Sequence, residues 1–116
     1  MNIEEFREYC LSLPSTSEAL PFDETSLVFK VGRKMFALTV LEGPFWINLK
    51  CDPAKAIELR EQYQAVRPGY HMNKKHWNTI EVDGSVSNAL IRQWTKESYE
   101  LVIKGMTRKE RESINR

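Results

Sequence analysis

The sequence predicts an α+β domain: one layer of antiparallel sheet covered by helices on one face. Three observations carry this prediction. Apolar residues recur at helical spacing in three separate stretches. Between Ser26 and Lys50 the period changes to two. The alternating runs are joined by short turns, two of them containing glycine.

Residues 2–13 read as the first helix. Asn2 can cap it, Glu5 completes a capping-box pattern, and Ile3, Phe6, Cys10 and Leu13 share one face before Pro14 ends the run. A polar loop, PSTSEALPFDET, follows. In SLVFKV, Leu27, Phe29 and Val31 point one way and Ser26, Val28 and Lys30 the other. VGRK then leads into MFALTVL, and EGP into FWINLK, which makes a meander with one face buried and one partly wet. Trp46 either packs against a helix or lies half exposed on the sheet. CDPAKAIELREQY is a second helix, with Asp52 as N-cap, Pro53 in the first helical position, and Ala56, Leu59, Tyr63 and Ile57 as its apolar side. RPG reads as a turn, and NTIEVDG as a further short strand. SVSNALIRQWTKESYELVIKG is the longest helix, with Leu90, Ile91, Trp94, Leu101 and Val102 inward and Gly105 as its cap. Thr107 caps a charged tail that is a solvated helix or a frayed end. Residues 1–116 thus form one domain, with a core over about 2–105 and a tail over 106–116.

Composition bounds the function. With 41% apolar and 28% charged residues, 116 residues support one modest core and are neither disordered nor fibrous. No apolar run approaches a membrane span, and the acidic start MNIEEFREYC lacks the order of a signal peptide. A cytoplasmic location is expected, with Cys10 and Cys51 reduced. The net charge of +1 conceals an asymmetry. Residues 1–30 carry six acids against two bases, whereas residues 31–116 carry fifteen bases against ten acids. A positive face is therefore available on a nearly neutral chain.

The stretch RPGYHMNKKHW, residues 67–77, concentrates one Arg, two Lys, both histidines, a Tyr and a Trp without a single acid. A metal site is not expected, because His71 and His76 are five apart and no acid or cysteine of the segment completes a ligand set. Nor is an enzyme: the one candidate nucleophile, Cys51, directly precedes Asp52, and there is no glycine-rich nucleophile elbow or phosphate loop. Phosphate binding fits the residue types better. Arg67, Lys74 and Lys75 can pair with phosphates, and Asn73 can donate to phosphate or base edges. Tyr70, His71, His76 and Trp77 can stack on bases or line a groove. Lys50 can add a charge from a neighbouring strand end. The competing reading is a plain solvated turn with Trp77 as an anchor.

NLKCDP at 48–53, LREQY at 59–63, VRPGYHMNKKHWNTIEVDG at 66–84 and SY at 98–99, in this order and spacing, resemble the MmcQ/YjbR family of small bacterial proteins. The resemblance runs from the first helix to about residue 104, and Ser87 departs from it where the family often has proline. It implies a fold like that of the CyaY/frataxin group, a twisted antiparallel sheet with helices packed on one side. It also implies a DNA-binding protein of the double-wing type, in which two β-hairpins flank the nucleic acid. On this chain the wings would be the turns Gly32–Lys34 and Glu42–Pro44, of which only the first is basic, through Arg33 and Lys34. Frataxin-like iron binding does not carry over, since Arg7 interrupts the acids of the first helix and the first strand offers only Lys30.

The expected function is thus a non-enzymatic, cytoplasmic, monomeric DNA-binding protein of modest, salt-dependent affinity, without cofactor or metal. Arg67, Lys74 and Lys75 would touch phosphates, Asn73 phosphate or base edges, and Tyr70, His71, His76 and Trp77 the bases or groove. Arg33 and Lys34 would form the supporting wing, with Lys50 alongside. The alternative is a module that uses the same patch for a small anionic ligand or a protein partner. In a third reading the stretch is structural, with Arg67 tied to an acid such as Asp83. A convex basic ridge favours nucleic acid; a concave pocket with Arg67 and His71 buried favours a small ligand.

Overall fold

The computed structural model describes residues 1–114. Its elements are α1 (Ile3–Ser12), β1 (Thr16–Ala19), β2 (Ser26–Val31), β3 (Lys34–Val40), β4 (Trp46–Lys50), α2 (Pro53–Gln62), β5 (Val66–Pro68), β6 (Trp77–Glu81), α3 (Asn88–Lys104) and α4 (Arg108–Ser113). The strands form one antiparallel sheet in the order β1-β2-β3-β4-β6-β5. The α+β class and the antiparallel sheet agree with the sequence expectation. The tail forms α4, and its last two residues, 115 and 116, lie outside the described residues.

Local chemistry sets the helix ends as read from sequence. Asn2 and Glu5 close a reciprocal capping box on α1, the Asp52 carboxylate accepts the Lys55 N–H ahead of Pro53, and Thr107 with Glu110 repeats the box on α4. Ser87 caps α3, its side chain accepting the Leu90 N–H. One helical assignment changes: Ile57 is exposed, because Ala56 and Leu59 alone face the sheet from α2.

Two strands escape the sequence pattern, and both are sheet edges. β1 lies inside the expected polar loop, where TSEA has no apolar alternation; its order comes from pairing Thr16–Ala19 with Val28–Val31. β5 takes in Arg67 and Pro68 of the expected RPG turn, and Pro68 is tolerated because an edge strand leaves one row of amides unpaired.

The core lies between the sheet and the helices. Phe29, Phe36, Ile47, Leu49 and Ile80 meet Phe6, Ile91, Trp94, Tyr99 and Val102, all buried. Phe6 contacts Phe29, and Phe36 contacts Tyr99, in edge-on ring pairs with centroids 5.7 and 5.4 Å apart. Ser98 ties the layers together: its Oγ donates to the Phe36 carbonyl at 2.6 Å and accepts the Lys50 N–H at 2.8 Å. The other sheet face carries no helix. Val28 and Leu38 on that face are nonetheless buried, so loops must cover them.

Two outcomes are expected. Ser98→Ala leaves a buried carbonyl and amide without partners, which lowers stability in urea unfolding by about 1–3 kcal/mol. Four carboxylates sit below their usual range: Glu18 through its hydrogen bond from Arg7, Asp23 through the Thr25 and Ser26 amides, Asp83 through Ser85, and Glu110 through the Thr107 amide. Depressed folded-state values add stability that is complete above the unfolded carboxylate pKa, about 4, and is lost as pH falls through the lower folded values. The thermal midpoint should therefore decline steadily on acidification below about pH 4, with a smaller decline in Glu18→Gln.

Candidate nucleic-acid interface

The helix-free face is where the 67–77 stretch lies. Strand alternation and register place Trp46 and Asn48 of β4, Thr79 of β6 and Arg67 of β5 on it as neighbours, since Asn48 pairs with Thr79 and Thr79 with Arg67. The chain after β5 then folds back over this face. A run of hydrogen bonds holds it: the Tyr70 N–H donates to Thr79 Oγ1 at 2.8 Å, Thr79 Oγ1 donates to Asn48 Oδ1, and Asn48 Nδ2 donates to the Tyr70 carbonyl at 3.1 Å. Gly69 permits the approach, because a Cβ there would stand 2.9 Å from Trp77 Cβ and 3.0 Å from Met72 Cβ. His71 takes the left-handed conformation, φ 57°, to complete the bend.

From the other side Arg60 of α2 pins the loop. Its guanidinium donates to Asn78 Oδ1 at 2.7 Å, to the Lys74 carbonyl and to the Trp77 carbonyl at 3.3 Å. Asn73 shapes the tip by accepting the Lys75 and His76 amides on its Oδ1.

The result is a cavity of about 480 Å³ lined by Trp46, Arg67, Pro68, Tyr70, Lys74 and Thr79. Tyr70 is 58% exposed and meets Trp46 edge-on at a centroid distance of 6.0 Å. This ring pair also bounds a second cavity of about 370 Å³ on the same face, where His71, Met72 and Phe22 lie over Met35 and Leu38. The His71 ring sits 4.0 Å from that of Tyr70. Two cations, two large rings and a hydroxyl thus converge on one open concavity, which suits a flat aromatic group bearing negative charge.

The stretch is not brought together as one patch. Arg67, Tyr70 and Lys74 share the first cavity, and His71 belongs to the second. Arg67 is exposed and paired with Glu81, not with Asp83; the Lys74 ammonium donates to the Gly69 carbonyl at 3.0 Å. Lys75 is exposed at the loop tip, His76 is half-buried with its carbonyl accepting the Cys51 amide, and Trp77 packs beneath Gly69. Lys50 lines a groove between the helices, and Arg33 lines a separate cavity beside α4, so neither joins the cavity. Trp46, Thr79, Asn48 and Arg60 complete the site from outside the stretch. Strand alternation was the signal for Trp46; the others required the register.

The two turns read as wings lie at opposite ends of β3, about 20 Å apart at ~3.3 Å per residue. Charge divides along the same axis. Arg33, Lys34, Lys50 and Lys75 gather at the end where β3 begins and β4 ends, with Lys34 paired to Glu110. Asp23, Glu24, Glu42 and Asp83 stand at the other end, where the start of α1 with Glu4 and Glu5 lies against the β3–β4 turn.

Among the described residues no three His, Cys, Asp or Glu side chains are grouped to hold a metal ion, and no helix is long and apolar enough to cross a membrane. Burial raises the pKa of the Cys51 thiol, and more strongly that of Cys10.

Gly69→Ala is expected to lift the loop off Trp77 and to lower stability by about 1–3 kcal/mol. Hydrogen exchange should show the loss of protection concentrated in 69–77, with the β2–β3 amides little changed.

Comparison with known proteins agrees with this architecture. A family model described as YjbR matches residues 11–101. The uncharacterized protein YbdF of Escherichia coli O157:H7 is 37% identical over 112 residues, covering 96% of this chain and 92% of that protein. The uncharacterized protein YjbR of Escherichia coli K12 is 33% identical, over 89% of this chain and 88% of that protein. The crystal structure of the Deinococcus radiodurans protein DR2400 superposes with a TM-score of 0.89 at 42% identity, covering 96% of this chain and 86% of that one. A Pseudomonas syringae protein superposes with a TM-score of 0.77 at 27% identity, over 87% of this chain and 98% of that one. Matched over most of its length in sequence and in fold, the chain belongs to the YjbR family.

Proposed function

We propose that the protein is a non-enzymatic DNA-binding module that takes unpaired bases on its helix-free sheet face. One observation carries this reading: Arg67 and Lys74 flank the exposed Tyr70 ring and Trp46 around a single open cavity. Exposed rings on a sheet give a stacking surface for bases of any sequence, and flanking cations take the phosphates on either side. Single strands suit this surface better than a duplex, whose bases are not available for stacking. Few cations are in reach, and Glu81 competes for Arg67, so affinity is modest.

A second reading has its own support. The site is concave, which fits one small anionic ligand with an aromatic body, while the exposure of Arg67 and His71 argues against an enclosed pocket.

Fluorescence anisotropy with labelled single-stranded and duplex DNA, at low and moderate salt, separates the two. Single strands should bind more tightly, with affinity falling as salt rises. Tyr70→Ala should weaken binding by about 1–3 kcal/mol with little change in salt slope. A folded Arg67→Ala/Lys74→Ala/Lys75→Ala variant should lower the slope by about 0.7 for each phosphate contact removed. Absence of binding even at low salt sinks the proposal, and binding of mononucleotides as tight as that of oligonucleotides favours the small ligand.

A further inference from the structure

The nucleic-acid site uses one of the two cavities on the helix-free face and leaves the other, which holds His71, without a role. This second cavity is a cleft between two loops. The β1–β2 loop supplies Phe22 on one side, and the loop after β5 supplies Tyr70, His71 and Met72 on the other. Its floor is the sheet, with Met35 and Leu38 of β3 beside Trp46 of β4. An apolar cleft edged by rings from two sides suits a flat aromatic group. The thioethers of Met35 and Met72 let its outline adjust to that group.

Phe22 is the feature that most needs an explanation. At 71% it is the most exposed large apolar side chain among the described residues. The loop that carries it is nonetheless tied down. The Asp23 carboxylate accepts the Thr25 and Ser26 amides at 2.9 and 2.6 Å and the Ser26 hydroxyl at 3.0 Å. A ring held out in water by an ordered loop forgoes apolar contact that a ligand restores.

The polar groups of the cleft narrow the choice of ligand. The Asn48 amide is spent on Thr79 and Tyr70, and the Ser26 hydroxyl on Asp23. Asp23 is ionised, its pKa lowered by the Thr25 and Ser26 amides, and among the described residues no Lys or Arg lines the cleft. A phosphate is therefore repelled here, whereas a neutral ring is accepted. Cations stand on the far side of the Trp46–Tyr70 pair, where Arg67 and Lys74 line the neighbouring cavity. Both cavities share those two rings, so one ring pair separates them, and consecutive bases of a single strand can occupy both.

We propose that the cleft is the subsite for a second, adjacent base, so that the face binds a single strand as a two-base step. One base lies in the first cavity with its phosphates at Arg67 and Lys74, and the next lies between Phe22 and His71. This rests on the nucleic-acid reading and adds the second base to it. Apart from the His71 ring the cleft has no unspent neutral side-chain group for a base edge, so the second base is held by its faces and its identity matters little.

Competition against a labelled oligothymidylate, on the full chain with its histidines neutral, provides the test. The competitors are thymidine monophosphate, the phosphorylated thymidine dinucleotide, and two dinucleotides of equal phosphate content in which one or the other sugar is abasic. The complete dinucleotide should displace the label about tenfold better than either abasic form, in line with the stacking of one base. That ratio should hold between low and moderate salt, because the phosphates are equal in number and the cleft supplies no cation. Phe22→Ala removes an exposed ring and leaves the core intact; it should abolish most of the ratio and leave thymidine monophosphate unaffected. Equal displacement by complete and abasic dinucleotides, or an unchanged ratio in Phe22→Ala, overturns the second subsite while the first-base reading stands. If no oligonucleotide binds, both fall.

Discussion

The hydrogen-bonded run through Tyr70, Thr79 and Asn48 is the constraint on which the candidate site rests. Asn48 and Thr79 are polar side chains buried on a face that has no helix to cover it. Buried polar groups must find partners, and these find them in each other and in the Tyr70 backbone. The loop is thereby bound to the sheet at the position that brings Tyr70 against Trp46. Arg60 applies the same logic from the helical side, spending its fork on two carbonyls and the Asn78 side chain. The loop is anchored through both faces of one sheet, so its exposed rings stand on a rigid support.

Much of the fold was legible in the sequence, because period and capping are local signals. The α1 capping box, Thr107 as the cap of the tail, Asp52 ahead of Pro53, and the β2–β3–β4 meander all follow from residues within one turn or one strand. The edge strands were not legible. TSEA and VRP carry no pattern of their own and are ordered by a partner distant in sequence or by a single row of hydrogen bonds.

The candidate site divides along the same line. Residue types in 67–77 identified an unusual loop, yet its acid-free composition overstated its charge, because Glu81 arrives from β6 to pair with Arg67. Asn73, read as a donor, has its carbonyl oxygen committed to the loop tip. Trp46, Asn48, Thr79 and Arg60 meet the loop only through the register of β4, β6 and β5 and the docking of α2. No spacing in the chain encodes those meetings. The placement of the two turns named as wings shows the same limit, since composition does not reveal that consecutive turns of a meander fall at opposite ends of the shared strand.

The division of charge along the strands has a consequence for how the molecule meets anything charged. With a net charge of only +1 the molecule as a whole has little attraction for a polyanion, so the end it presents matters more than the sum. Exposed charges at the strand ends differ in sign, with Arg33 and Lys75 at one and Asp23, Glu42 and Asp83 at the other. Within a Debye length, about 8 Å in physiological salt, an anionic surface would meet less repulsion at the first end than at the second. A count of charges alone would miss that difference.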